Sequence, residues 1–412
     1  MTFEELYKKI VKASSENKLE EELIKIRTTA DPNHLDCLLH PEKYPPVWNT
    51  GKCACSESES PCLSSCLFGA ISRDKDGIEI SRNDCIGCYA CIDSCKSKKL
   101  TASKDVVTAL NLVFNRERPV YAIIAPAFIG QFSKSVTPGK LRSAFKLIGF
   151  AGMIEVAAFA DILTLKEALE FDRNITGVDD YQLTSCCCPI WIAMIKKIYS
   201  QLLPHVPGSV SPMVACGRGV KLIYPEASVV FIGPCLAKKA EAKEDDIKDA
   251  VDCVLTFQEV RDIFEALDIN PEELEDEVRD HSSAAGRIYA RTGGVSEAVK
   301  TTVERITPNR TINLKAQQAN GVKECKEMIN DILEGKISAN FYEGMGCAGG
   351  CVGGPKIIID KEDGRRNVNE YGEQSAYKTP IDNPYVIELL RRLGIESIDE
   401  LLHESDIFSR HF

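Results

Sequence analysis

Eighteen cysteines stand among 412 residues, and they fall in blocks. Cys85, Cys88, Cys91 and Cys95 read C-x2-C-x2-C-x3-C. In such a run the first three thiolates wrap one iron–sulfur cube, while the fourth reaches a neighbouring cluster. Upstream, Cys53, Cys55, Cys62 and Cys66 form a less regular block, C-x-C-x6-C-x3-C. Crossing the assignments gives Cys85, Cys88, Cys91 and Cys66 to one [4Fe–4S] cluster and Cys53, Cys55, Cys62 and Cys95 to the other. Zinc is the competing chemistry, but zinc sites favour paired C-x2-C units well apart. Cys37 could displace Cys53 or Cys55 as a ligand. Neither final cysteine is followed by the usual proline; Leu67 and Lys96 stand there instead.

Three more loops, far apart in sequence, carry thiols: TSCCCPIW (184–191), GPCLAKKAE (233–241) and MGCAGGCVGGP (345–355). Four thiolates from such loops could close a buried [4Fe–4S] cluster. Pro189 suits the first position of a helix, and the glycines around Cys347 and Cys351 permit tight turns and close backbone approach to a cofactor. The isolated Cys37, Cys216, Cys253 and Cys325 read as small buried hydrophobes.

The elements that must position these loops are α/β in pattern. Apolar β-rich runs at 119–127, 153–159, 228–235, 251–257 and 338–347 predict strands, most ending near a cysteine, glycine or turn. Apolar spacing predicts helices from Pro138 and over 190–203, 213–223, 258–268, 294–306 and 323–335. Such alternation implies sheets with covered faces and reactive groups in the loops after the strands. The acidic stretch 271–280 reads as a solvated helix or loop face. Residues 1–50 are expected to be a helical extension, 51–105 a ferredoxin-like domain, and 106–412 a larger unit in two lobes.

Composition bounds the function. Hydrophobic residues make up 44% and charged residues 27%, enough apolar mass for a core. Acidic residues outnumber basic ones, 61 to 50, for a net charge of −11. That charge repels polyanions, so nucleic acid is not an expected partner. No run of about 20 apolar residues is free of charges, so no membrane span is expected. The first 26 residues are charged throughout and lack the apolar core of a signal peptide. A cytoplasmic setting follows, and there so many cysteines argue for metal or redox chemistry over disulfides.

With these motifs the chain resembles the [FeFe]-hydrogenases from about residue 118 onward. The family signatures TSCCPxW, MPCxxKxxE and ExMACxxGCxxGGGxP read here TSCCCPIW, GPCLAKKAE and EGMGCAGGCVGGP. The resemblance implies a two-lobed α/β domain with an H-cluster in the cleft, behind an N-terminal ferredoxin-like domain with two [4Fe–4S] clusters. It implies that Cys188, Cys235, Cys347 and Cys351 ligate the H-cluster cubane. Cys351 would also bridge to a diiron subsite carrying CO, cyanide and an azadithiolate. Lys238 would hydrogen-bond a cyanide. Cys187 would pass protons to the bridging amine, with Glu167 and Glu170 as relay carboxylates.

Several positions depart from the family. The relay serine falls on Pro207 and the outer arginine on Asn174, leaving Ser209 or water as a detour. Near the diiron unit, Ala-Pro-Ser becomes Ala125-Pro126-Ala127, and Pro-Gln becomes Pro212-Met213, with an additional thiol at Cys216. The methionine before Pro234 is Gly233, a phenylalanine becomes Tyr289, and Met345 keeps its place. Outer hydrogen bonds tune a metal site, so these changes imply a retuned cluster. The additional Cys186 in TSCCCP resembles the sensory branch, groups C and D. The chain ends too soon for the PAS domain of group C, so group D is the closer match.

Three functions follow from the resemblance. One is an enzyme that interconverts H2 with protons and electrons, catalytic and ferredoxin-linked or electron-bifurcating. The preferred one is a slow H2 or redox sensor using the same cluster. Either would need a redox partner, a ferredoxin or signalling protein, and maturation proteins for the diiron site. The third is a Narf-like iron–sulfur protein without diiron, against which Cys187, Lys238, Glu241 and Met345 argue.

Overall fold

The runs VYAII and SVVFIG carry no polar alternation, the mark of parallel strands covered on both faces, and they lie side by side. The computed structural model describes residues 1–53, 55, 60–74, 77–115, 117–184, 187–404 and 406–410, so Cys186 lies outside the described residues. In the N-terminal part, β1 (Val47–Asn49), β2 (Ile71–Arg73), β3 (Ile78–Ile80) and β4 (Leu100–Ala102) form two antiparallel ribbons, β1 with β4 and β2 with β3. Helices Phe3–Ser15, Leu19–Ile26 and Pro32–Leu39 precede them. The pairing of β1 with β4 ties the segment before residue 50 to the cysteine-rich segment after it.

The remaining strands sort into two parallel sheets. They are β5 (Val120–Ile124), β6 (Gly152–Glu155), β7 (Gln182–Leu183), β8 (Ser228–Gly233), β9 (Cys253–Thr256), β10 (Ala316–Asn320) and β11 (Phe341–Met345). One sheet has the order β6-β5-β8-β9 and the other β10-β11-β7. From β5 the chain goes first to β6 on one side and later to β8 on the other, so the order reverses around β5. In open α/β sheets ligands bind outside the strand ends at such a reversal. There the chain leaves β5 into Ala125-Pro126 and β8 into Pro234-Cys235. In the second sheet β7 leads to Cys187 and Cys188, and β11 leads to Cys347. Every expected cubane loop thus follows a strand end or, for Cys351, the turn beyond it. The fold is a mixed α/β domain of the kind the sequence implies.

The expected strands and helices are present, most within a few residues of the expected bounds. Helix Ala157–Asn174 follows β6, and the run 190–203 divides into helix Pro189–Lys197 and a 3-10 turn Ser200–His205. The acidic stretch 271–280 is a mostly exposed loop face, in line with its reading. Beyond the short turn Pro271–Glu273 it has no regular structure, and its backbone lies against helix Pro138–Ile148. Arg142 donates to the Glu277 carbonyl at 3.0 Å, and a Cβ at Gly139 would stand 2.0 Å from Asp276 Oδ1. The charged side chains leave, but the backbone stays. Among the described residues no helix is long and apolar enough to cross a membrane.

Candidate metal centre

Two glycines in EGMGC set the geometry of the main thiol group. A Cβ at Gly344 would lie 2.1 Å from Trp191 Cε3, and one at Gly346 would lie 2.6 Å from Ile190 Cβ. Lacking side chains there, β11 lets helix Pro189–Lys197 lie directly on its end. Cys188 caps that helix, with Pro189 at the first position, and its sulfur accepts from the Gly346 N–H at 3.3 Å. A helix N-terminus favours an anionic sulfur or cluster. Cys347 follows Gly346 directly, and left-handed Gly349 (φ +98) and Gly350 (φ +82) turn the loop so that Cys351 comes back to the same place. At Gly350 a Cβ would meet the Thr292 nitrogen at 2.6 Å, so a glycine is required twice over.

Cys188, Cys235, Cys347 and Cys351 gather here as free thiols. Burial pushes the Cys235 thiol up to about 11 and Cys351 up to about 12, and each is raised further by Cys188. Cys347 is driven well above the usual thiol range by burial, then by Cys235, Cys188 and Cys351. Buried thiols this close stay protonated unless a metal takes the sulfur. The donor set therefore fits a cubane cluster.

Beside Cys351 lies a cavity of about 50 Å³ with apolar walls. Ala125, Pro126, Met213, Tyr289 and Met345 line it, and Cys187 and Lys238 open onto it. The Lys238 ammonium is buried in an ion pair with Glu241 Oε2 at 2.6 Å, which leaves others of its three N–H donors for the cavity. Burial works against that ammonium, but Glu241, Cys235 and Cys351 outweigh it and hold it above the ordinary lysine range. A cation with a donor left over beside an apolar hole fits an anionic group. Cys187 is itself kept protonated, chiefly by burial and then by Cys188, Glu343 and Glu167.

Not every expected residue joins the cavity. Ala127 is fully buried in the core beneath β5, and Gly233 backs onto Phe231 and Ala125. Pro212 and Pro234 line the wall, whereas Cys216 is enclosed in the core that also holds Met213 and Phe231 and is not part of the lining. Phe231, Val156 and Ala160 line it too, and no motif announced them. Tyr289 turns its hydroxyl away to accept from Thr164 Oγ1 at 2.9 Å.

The two carboxylates of KEALE are not the solvated pair that the bare helix suggests. Glu167 is 1% exposed, facing Cys187 and Tyr289, while Glu170 is partly buried. Between Glu170 and the loop after His205 stands Lys166, itself 1% exposed, donating to Glu170 Oε1 at 2.6 Å and to Ser209 Oγ at 2.9 Å. Ser209, the expected detour around Pro207, thus meets the helix that carries Glu167 and Glu170. The Lys166–Glu170 spacing of four residues was the available signal for the lysine.

The accessory thiols separate into two groups. Cys66, Cys85, Cys88 and Cys91 surround one small cavity. Cys53, Cys55, Cys62 and Cys95 influence one another electrostatically, and Ser97 Oγ stands 3.5 Å from Cys53 and 3.4 Å from Cys95. Ser97 and the Cys55 N–H pull the Cys53 thiol down to about 7. Burial lifts Cys85 to about 11 and Cys91 to about 12. Cys37 packs elsewhere, in the core with Leu6 and Trp48, and joins neither group. The first accessory group reaches the main one at Gly87 (φ +74), where a Cβ would lie 3.0 Å from the Leu236 carbonyl oxygen.

Parallel sheets with thiol loops at their carboxyl ends, and two further sets of four thiols, define an iron–sulfur protein. Residues 118–355 match the model of the iron-only hydrogenase large subunit, C-terminal domain, and the chain belongs to that family. It is similar to iron hydrogenase 1 of Clostridium pasteurianum, 29% identical over 57% of this chain and 48% of the relative. It therefore spans about half of that relative's length. The cytosolic iron-sulfur assembly component 3 of Pongo abelii is 26% identical over 81% of this chain and 84% of its own. The solved [FeFe]-hydrogenase HydA1 of Chlamydomonas reinhardtii, variant E144A, has the same fold. Its TM-score is 0.61 at 21% identity, covering 75% of this chain and 98% of that one.

Proposed function

We propose that the chain holds an H-cluster and interconverts H2 with two protons and two electrons, slowly, as a sensory group D member. The observation that carries this reading is the apolar cavity beside Cys351, onto which Cys187 and the buried ammonium of Lys238 open. A plain cubane needs neither the hole nor the cation.

When bound, the diiron unit with its CO, cyanide and azadithiolate ligands supplies the redox and acid–base chemistry of H2. The chain's residues do the rest. Cys188, Cys235, Cys347 and Cys351 would hold the cubane, with Cys351 at the wall of the cavity that would take the diiron unit. Lys238 donates to an anionic ligand from Nζ. Pro126, Met213, Tyr289 and Met345 exclude water. Cys187 holds a proton at Sγ and exchanges it with the Glu167 carboxylate. Glu170, fixed by Lys166, and Ser209 continue the path outward. The two accessory thiol sets would hold clusters able to carry electrons toward a redox partner, a ferredoxin or a signalling protein, and the diiron unit would come from maturation proteins. The lost donors at Ala127 and Met213, Pro207 and the run TSCCCP favour a sensor over a fast catalyst.

A second reading is favoured by the similarity to the assembly component along 84% of its length. In it the chain carries cubanes alone, as a scaffold or electron carrier. Infrared spectra of anaerobic protein treated with a diiron complex separate the two. Protein-bound CO and cyanide bands that change under H2 are expected. Their absence after treatment leaves the cubane-only reading. Cys187→Ala is then expected to cut H2 turnover sharply while the cluster spectra stay, and unchanged turnover would remove Cys187 from the proton path.

A further inference from the structure

Directly after the glycine loop with Cys347 and Cys351 comes Pro355-Lys356. Lys356 is 8% exposed. Its backbone N–H donates to the Pro234 carbonyl at 3.0 Å, beside the ligand Cys235. Its ammonium lies 5.0 Å from the centre of the Tyr89 ring, beside the ligand Cys88. The side chain therefore bridges the seam between the accessory group of Cys66, Cys85, Cys88 and Cys91 and the main thiol group.

The charge there is poorly answered by the protein. Its hydrogen bond is a long one, 3.4 Å to the neutral amide of Gln258, and among the described residues no carboxylate lies within ion-pair distance. Lys239, which shares the neighbourhood, is by contrast paired with Glu259 and Asp105 at 3.0 and 3.1 Å. Burial pulls the Lys356 ammonium down to about 8, with Lys104 and Lys239 adding to it against Glu259 and Asp262. An unpaired buried cation is costly, and structures keep one only against a compensating anion. Tyr89 adds a second sign. It is a non-glycine residue in the left-handed region (φ 74), held there between Cys88 and Ala90 with its ring toward the lysine.

We infer that Lys356 is the counter-charge of the accessory cluster held by Cys66, Cys85, Cys88 and Cys91, and sets where an electron rests at the seam. The inference rests on the iron–sulfur reading of these thiols and not on the diiron unit. A thiolate-ligated [4Fe–4S] cluster is anionic and gains one more negative charge on reduction. A fixed cation nearby favours the reduced form and raises the potential. Lys356 is a positioning residue, touching neither H2 nor a proton in transit.

The test is a redox titration followed by electron paramagnetic resonance, on full-length protein carrying its cubanes without diiron. The signal of this cluster is assigned by its loss in Cys91→Ser. In Lys356→Met its reduction equilibrium is expected to fall at least tenfold, a shift of about 59 mV to more negative potential for one electron. The cluster of Cys53, Cys55, Cys62 and Cys95 should stay in place. Lys356→Arg, which keeps the charge, should remain within threefold of the wild type. If Lys356→Met does not fold, Lys356→Gln is read the same way. An unchanged potential in the neutral variant, or an equal shift in the arginine variant, overturns the counter-charge. Loss of all cubane signals in the wild type would overturn the iron–sulfur reading instead.

Discussion

Glu343 is 0% exposed in the middle of β11, two residues before Met345. One oxygen accepts from the Gly293 N–H at 2.7 Å and the other from the Ser296 N–H at 2.8 Å. These are orphan donors at the start of helix Gly294–Ile306, which has no side-chain cap of its own. Glu343→Gln keeps one acceptor and turns an NH2 group toward the other N–H. One hydrogen bond is lost and one buried donor orphaned, together costing about 2–4 kcal/mol. The helix start should open more often by that amount. Hydrogen exchange at residues 293–299 should accelerate by a factor of about 30 to 1,000, at about 1.4 kcal/mol per decade. The effect should reach the metal loop, because Thr292 donates to the Gly349 carbonyl at 3.1 Å. Mass-spectrometric exchange on the purified protein reads the first effect and iron content the second. Exchange within threefold of the wild type would show that the carboxylate does not hold this helix.

Two other outcomes follow from the packing and the thiol grouping. Cys66→Ser and Cys91→Ser should each remove the same cluster, so the double variant loses no more iron than either single one, while Cys66→Ser with Cys62→Ser loses two clusters' worth; additive iron loss for Cys66 and Cys91 would contradict the crossed assignment. Gly344→Ala forces a Cβ within 2.1 Å of Trp191, overpacking that costs about 1–3 kcal/mol or more; a denaturation midpoint equal to the wild type's would show that helix Pro189–Lys197 can give way.

Helix starts are legible where a cap meets a proline. Thr137-Pro138 and Ser211-Pro212 both open helices with the hydroxyl accepting from the backbone three residues on. The long parallel strands are legible because burial on both faces leaves only apolar residues. β7 and β10 are not. β7 is two residues long, and β10, AQQAN, is an edge strand whose half-exposed side chains blur the apolar signal. Spacing also misleads at Glu167. KEALE reads as an outer face, but helices 212–223, 284–287, 294–306 and 384–392 all pack on helix Ala157–Asn174 and leave it little outer face. The thiol loops are the opposite case, since cysteine clusters have few uses away from metal. Lys356 carries no such signal, because only the fold brings it to Tyr89.

The helix Phe3–Ser15 has a consequence for how the chain is made. Its apolar side, Leu6, Tyr7, Ile10 and Val11, is buried in the same core as Val260 and Ile263 of helix Phe257–Ala266. Tyr7 also donates to Asp262 at 2.8 Å across 255 residues of sequence. During synthesis that greasy stripe leaves the ribosome long before its seat exists. Closing so long a loop is slow to nucleate, though lengthening it further would add little entropy. Docking of this helix is therefore a late event in folding, and until then the core around Val260 and Ile263 stands open on that side.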